Sequence, residues 1–108
     1  MNNPRVFVPI FSRRFDLTAA EPFGDVVYLL NGEMPSALHL QETSETISES
    51  LVKMRYDEND WICLTGPTIL VSLLLACVCV EYGQANVLVF DAAQEKYLPR
   101  NLVFTEEE

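Results

Sequence analysis

A run of twenty uncharged residues, from Trp61 to Val80, constrains the fold of this chain more than any other feature. It is a membrane span, a buried strand and helix, or the wall of a ligand site. Thr65-Gly66-Pro67-Thr68 interrupts it with residues typical of a strand-to-helix turn. After this break the residues up to Val80, apart from Ser72, form an apolar helix of about 18 Å, which is shorter than a hydrocarbon core of about 30 Å. We therefore expect the run to be part of the protein core.

The residues around this break predict a βαβ unit. A strand precedes the turn, an apolar helix follows it, Gly83 supplies a stop, and Asn86–Asp91 is a second apolar strand. Because the helix is apolar nearly all round, we expect it to be buried on more than one side. Lys96–Phe104 predicts a last short strand, antiparallel and at an edge of the sheet.

The amino-terminal part of the chain predicts two further strands. Arg5–Phe11 is the first. Pro9 places this strand at an edge or ends it nearby, since proline donates no backbone hydrogen bond. Asp16–Glu21 is expected to form only about a turn of helix, because Pro22 follows it. Val26–Leu30 predicts a second, buried strand.

The middle of the chain predicts one amphipathic helix. Ala37–Gln41 alternates apolar and polar residues, which indicates a third, half-exposed strand or an extended connection, with His39 as an exposed strand residue. Ser44–Tyr56 has apolar residues at helical spacing, and its N-cap is Thr46 or, equally, Ser44.

These elements together predict an α/β fold. We expect a single small domain over residues 1–108, with a mixed, largely parallel sheet, a C-terminal βαβ unit and a buried apolar helix. Residues 105–108, which end in three glutamates, are expected to form a frayed acidic tail. No targeting segment is expected at the start of the chain.

The net charge of −9 argues against direct binding of nucleic acid. Such binding needs clustered lysines and arginines, and the seven basic residues here are scattered. An acidic surface suits a basic protein partner or a bound cation, although solvation alone also accounts for it.

The three cysteines, Cys63, Cys77 and Cys79, all lie in apolar runs. An odd number of cysteines in such positions predicts buried thiols in a reducing cytosol, which is the host cytoplasm if the chain is viral. Their spacing is not that of metal ligands, so we expect no metal and no cofactor.

Six residues are candidates for a ligand site because they follow or end the predicted parallel strands: Arg13, Arg14, Thr65, Gly66, Thr68 and Asp91. In an open α/β sheet such residues meet beyond the carboxyl ends of the strands, where a helix N-terminus and two guanidiniums suit a phosphate. The alternative is structural. Thr65 and Thr68 then cap the helix, Asp91 starts a turn, and the arginines are a solvated loop.

Four aromatic residues near the amino terminus are expected to pack the core: Phe11, Phe15, Phe23 and Tyr28. The sequence shows no complete catalytic motif, so no catalytic residue is predicted.

Several stretches form a pattern that covers most of the chain: FDLTAAEPFG (Phe15–Gly24), the Val26–Leu30 strand, Trp61–Gly66, an apolar helix ending in Tyr82-Gly83, and a final VLVFDAAQEKYLPR. This pattern resembles small uncharacterised α/β proteins encoded by tailed bacteriophages. The resemblance implies a small cytosolic accessory protein that acts on a host or viral protein.

The turn at Thr65-Gly66 also loosely resembles the ligand loop of Rossmann-like nucleotide-sensing domains, such as CARF domains and ring nucleases. This second resemblance covers only the βαβ part of the chain and implies a nucleotide ligand.

Two functional hypotheses follow. In the first, the chain is a non-enzymatic interaction protein that forms a homodimer or larger assembly and whose acidic face engages a basic protein partner. In the second, it is a nucleotide-binding or nucleotide-cleaving domain that uses the six candidate residues at the strand-turn-helix break. Neither hypothesis involves nucleic acid or a membrane.

Overall fold

Five strands form one sheet in the computed structural model, which describes residues 3–104. The strands are β1 (Arg5–Ile10), β2 (Asp25–Leu30), β3 (Trp61–Cys63), β4 (Gln84–Asp91) and β5 (Lys96–Val103). Their order is β2-β1-β3-β4-β5. The first four are parallel, and β5 pairs antiparallel with β4. The predicted α/β fold with a mixed, largely parallel sheet is confirmed, whereas the predicted frayed tail lies outside the described residues.

Two α-helices cover one face of the sheet. α1 (Leu40–Lys53) connects β2 to β3, and α2 (Thr68–Tyr82) connects β3 to β4. The core beneath them includes Phe7 from β1 and Leu74 from α2. The opposite face is covered by a 3₁₀ helix, Thr18–Phe23, over a second buried cluster. The connection after β1 therefore crosses one face of the sheet, and those after β2 and β3 cross the other.

The predicted βαβ unit is β3-α2-β4. The helix ends where predicted, since Gly83 has a φ of 74° and its amide donates to the Cys79 carbonyl oxygen at 3.0 Å. A positive φ of this kind favours glycine. β5 is antiparallel and at the edge, as predicted.

β1 lies between β2 and β3 and not at an edge, so the second of the two alternatives predicted from Pro9 holds: the strand ends nearby, at Ile10. The pairing with β3 covers only Val6 and Phe7, and the register with β2 passes over Pro9 before Ile10 pairs with Leu30. The strand is central but ends one residue after its proline, which is why the proline is tolerated. β2 is itself an edge strand, with most of its side chains only half-buried rather than buried as expected.

The predicted strand or extended connection at Ala37–Gln41 is also wrong. Ala37–His39 is a 3₁₀ helix, and α1 begins at Leu40. The Ser36 hydroxyl accepts a hydrogen bond from the Leu38 amide at 3.1 Å, which caps this turn. Ser44 and Thr46, the two predicted N-caps, both lie inside α1, so neither of them caps the helix. His39 is exposed as predicted, but on a helical turn.

α2 is buried on one side only, which corrects the expectation from its composition. Its buried residues are Leu70, Leu74, Cys77 and Val78, whereas Ile69, Ser72, Ala76 and Val80 form an exposed stripe. The exposed fraction of Val80 reaches 83%. Cys63 and Cys77 are buried as predicted, but Cys79 is only half-buried. In the described part of the chain, no helix has the length and apolar character that crossing a membrane requires.

Candidate functional site

The carboxyl ends of β1 and β3 lie side by side, and the chain leaves them toward opposite faces of the sheet. The residues after β1 lead to the 3₁₀ helix on one face, and those after β3 lead to α2 on the other. Ligands of open α/β sheets bind in the crevice at such a topological switch point. We call this end of the sheet the carboxyl edge.

Two neighbouring cavities open at the carboxyl edge. One, of 420 Å³, is lined by Phe11 and Met34 among others. The second, of 460 Å³, is lined by Thr65 and Gly66, with Phe90 and Tyr97 also in its wall. Arg14 and Phe15 line both cavities and stand between them. Each volume is within the range of small-molecule pockets.

Three of the six predicted site residues meet in one cavity: Arg14, Thr65 and Gly66. Arg13 is exposed on the same loop as Arg14, and Thr68 is exposed as the first residue of α2, but neither residue lines either cavity of the carboxyl edge.

The Asp91 side chain stabilises the turn that follows it in the chain. Its carboxylate accepts hydrogen bonds from the Ala93 amide at 3.0 Å and from Gln94 Nε2 at 2.9 Å. These bonds hold the connection between β4 and β5, so the structural alternative describes this residue.

A hydroxyl pair forms the floor of the larger cavity. Thr65 Oγ1 and Tyr97 Oη lie 2.7 Å apart and share a hydrogen bond. Burial raises the pKa of Tyr97 to about 12, and the bond to Thr65 opposes part of this rise. Burial also raises the pKa of the neighbouring Cys63 thiol. Both groups are therefore protonated at neutral pH, and the floor is polar but uncharged.

The start of α2 has no side-chain cap, which contradicts the structural alternative for Thr65 and Thr68. Thr65 bonds to Tyr97 instead, and the Pro67 carbonyl oxygen accepts from the Leu70 and Val71 amides. The first amides of a helix have no partner within the helix and carry its positive dipole end. The start of α2 therefore presents backbone donors at the carboxyl edge, where Gly66 and Pro67 line the same cavities as Arg14.

Charge of both signs is present in the larger cavity. Asp16 lines it together with Arg14. Hydrogen bonds from the Thr18 hydroxyl and amide lower the pKa of Asp16, so this carboxylate is ionised at neutral pH. Within residues 3–104, no group of three or more His, Cys, Asp or Glu side chains is arranged to hold a metal ion.

The family of phage Pam3 gp32-like proteins matches residues 4–104 of the sequence. The chain belongs to this family. The match includes all five strands and both cavities of the carboxyl edge. No curated protein and no solved structure matches the chain. The predicted resemblance to small phage-encoded α/β proteins is confirmed.

The exposed aromatic residues of this gp32-like chain are what the sequence prediction missed. Phe11 and Phe15 are predicted to pack the core, but both are exposed at the carboxyl edge, as are Met34 and Phe90. Phe23 and Tyr28 do pack against the second buried cluster. The sequence does contain a signal that Phe11 and Phe15 are exposed, since they flank Ser12-Arg13-Arg14, a basic loop beyond the end of a strand.

Proposed function

We propose that the chain is a non-enzymatic phage accessory protein that acts by binding in the host cytoplasm. Its contact surface is the carboxyl-edge surface, defined by Phe11, Arg14, Phe15, Met34 and Phe90. Through this surface it self-associates, and the assembly engages a protein partner.

The observation that carries this proposal is the exposure of four large apolar side chains around one arginine. The exposed fractions of Phe11, Phe15, Met34 and Phe90 lie between 38% and 48%. Aromatic residues, methionine and arginine are enriched at protein interfaces, and a few of them supply most of the binding free energy. Arg14 lies among these side chains rather than on a separate face.

The negative charge exposed on α1, in contrast to the arginine of the carboxyl-edge surface, supports a basic protein as the partner. Glu42, Glu45 and Glu49 are all exposed on this helix. Carboxylates on an exposed face raise the association rate of a basic partner, and salt weakens that attraction. Self-association and partner binding therefore use different surfaces of the molecule.

Replacing Phe15 and Phe90 together by serine is expected to reduce the mass in solution to that of one chain. Each side chain is expected to contribute about 2 kcal/mol at the centre of an interface, which is roughly 30-fold in Kd. Light scattering coupled to size-exclusion chromatography measures the mass over a series of concentrations.

The matched control replaces Leu38 and Val52 by serine, two exposed apolar residues near or on α1. This variant is expected to keep the mass of the wild type. A wild type that is monomeric at every concentration, or a Phe15/Phe90 variant with unchanged mass, contradicts the proposal.

A second candidate function is the binding or cleavage of a nucleotide or another phosphate-bearing ligand at the carboxyl edge. The observation that favours it is that Arg14, Thr65 and Gly66 meet beside the uncapped start of α2. A phosphate there contacts a guanidinium and backbone amides, while a planar ring contacts Phe15 or Phe90.

Under this second function, one member of a panel of mono-, di- and cyclic nucleotides raises the melting temperature. A hundredfold excess over Kd adds about 2.7 kcal/mol of stability, which corresponds to roughly 10 °C or more for a chain of this size. Arg13→Ala with Arg14→Ala is expected to abolish the shift, and Arg100→Ala, an exposed arginine on β5, is expected to keep it. If no nucleotide raises the melting temperature, a nucleotide ligand is excluded.

A further inference from the structure

We propose that the chain self-associates head to tail: the carboxyl-edge surface of one copy docks into a groove at the opposite end of the sheet in a second copy. We call this the amino-edge groove, and it is lined by Tyr56, Asp57, Glu58, Tyr82, Gln84 and Asn86. This inference rests on the proposed function and identifies the surface that receives the carboxyl edge.

The amino-edge groove has the chemistry of a site for a guanidinium. Its volume is 390 Å³, and its wall holds two carboxylates, Asp57 and Glu58. Among the described residues, no lysine or arginine side chain lines it. Asp57 Oδ1 accepts from the Asn59 amide, and Glu58 is exposed. The groove is therefore a locally negative cleft in which a cation finds carboxylate oxygens.

Tyr56 is an independent sign that the groove receives a polar group. The exposed fraction of this residue is only 7%, yet its hydroxyl makes no hydrogen bond to another described residue. In residues 3–104, every fully buried side-chain nitrogen or oxygen has a hydrogen-bond partner. The Tyr56 hydroxyl has none, so it is not itself fully buried, and it is the part of the side chain that reaches the groove. The Tyr82 ring lies 4.8 Å from the Tyr56 ring, between their centroids. A hydroxyl that opens into the groove at the end of an otherwise buried side chain is suited to form a hydrogen bond with a docked group.

Arg14 fits this cleft. Among the described residues, no carboxylate lies within salt-bridge distance of its guanidinium, although the chain is acidic. A guanidinium binds carboxylates in a planar, bidentate manner and stacks on tyrosine rings. Asp57, Glu58 and the two tyrosines supply both kinds of contact.

Apolar residues are exposed beside both surfaces. Val103 and Phe104 are exposed next to Tyr82 at the end of β5, where the Phe104 amide donates to the Gly83 carbonyl oxygen at 2.8 Å. At the other end of the sheet, Phe15 and Phe90 flank Arg14. An arginine entering the groove therefore brings one apolar patch onto another.

The two surfaces lie at opposite ends of the parallel strands, and this fixes the symmetry of the contact. A pairing of different surfaces is heterologous, and it generates a ring or a filament rather than a closed two-fold dimer. A two-fold dimer through the carboxyl edge alone leaves the amino-edge groove unused. The two arrangements thus differ in whether a substitution in the groove affects the assembly.

The experiment uses two full-length variants, each of which disables one end. The first carries Arg14→Ala with Phe15→Ser, and the second carries Asp57→Asn with Glu58→Arg. Each alone is expected to be monomeric by native mass spectrometry. A 1:1 mixture is expected to form a heterodimer and nothing larger, because the second variant keeps an intact carboxyl edge and the first keeps an intact groove. Glu45→Arg, which reverses an exposed charge on α1, is the control that is expected to assemble like the wild type.

Each outcome separates this inference from the proposed function. If the groove variant assembles like the wild type while Phe15→Ser with Phe90→Ser is monomeric, self-association through the carboxyl edge stands and the head-to-tail contact is wrong. If the two monomeric variants do not combine on mixing, the head-to-tail contact is also wrong. Tyr82→Ser, which alters the groove without changing its charge, tests the same contact if the charge variant does not fold, and an unchanged wild-type mass overturns it.

Discussion

Replacing Asp60 by alanine is expected to lower the free energy of unfolding by about 3–5 kcal/mol, the usual cost of removing one partner of a buried ion pair. The exposed fraction of Asp60 is 2%, and its carboxylate lies 2.9 Å from the Arg5 guanidinium. Without this carboxylate, a mostly buried positive charge loses its counter-ion.

The cost is large because the Asp60 carboxylate joins three elements. It accepts from the Arg5 amide at 3.0 Å at the start of β1, and from the Asp57 amide at 2.9 Å just before β3. Arg5 also donates to the carbonyl oxygens of Met54 and Arg55 at the end of α1. The substitution therefore loosens a helix end and the starts of two strands together.

Urea-induced unfolding monitored by Trp61 fluorescence measures this change. Asp25→Ala, which removes an exposed carboxylate at the start of β2, is the matched control and is expected to stay within about 0.5 kcal/mol of the wild type. A loss below about 1 kcal/mol for Asp60→Ala contradicts the prediction and means that Arg5 turns to solvent.

The strands and helices that the sequence predicted best are those with strong local signals. β4 follows from the continuous apolar run Val87–Phe90, and the end of α2 follows from Gly83. β5 follows from the residues Lys96–Phe104, which come directly after the turn at Asp91. β1 was harder to place, because strand order depends on which residues pair, and Pro9 indicates only that a ladder bond is missing. The start of α1 was missed because a serine cap on a 3₁₀ turn precedes it and the apolar spacing begins later.

The site was predictable where it depends on strand ends and unpredictable where it depends on exposure. Arg14 and Thr65 follow β1 and β3, and parallel neighbouring strands bring such residues together. Whether Phe15 is buried depends on which layer covers the end of the sheet, and no local pattern in the sequence reports that. The amino-edge groove joins residues from before β3, the end of α2 and β4, so only the topology brings them together.

Replacing Leu74 by alanine is expected to cost about 2–5 kcal/mol of stability, whereas Val80→Ala on the same helix is expected to cost less than about 0.5 kcal/mol. Composition alone does not distinguish these positions, because α2 is apolar nearly all round. Leu74 is fully buried in the core beneath α2, and its truncation leaves a cavity that neighbouring β-strands cannot fill.

Val80 belongs to the exposed stripe of α2, so its truncation removes little buried area and gains helix propensity. Each substitution is introduced into the Phe15/Phe90 serine variant, and its urea-induced unfolding is measured at a protein concentration where that variant is monomeric. The measurement then reports folding alone, without a contribution from assembly. Comparable losses for the two substitutions would mean that α2 packs against the sheet through a different face, one that buries Val80. A large loss for Leu74→Ala alone confirms that one face of this helix, and not its overall apolar character, holds the sheet and helices together.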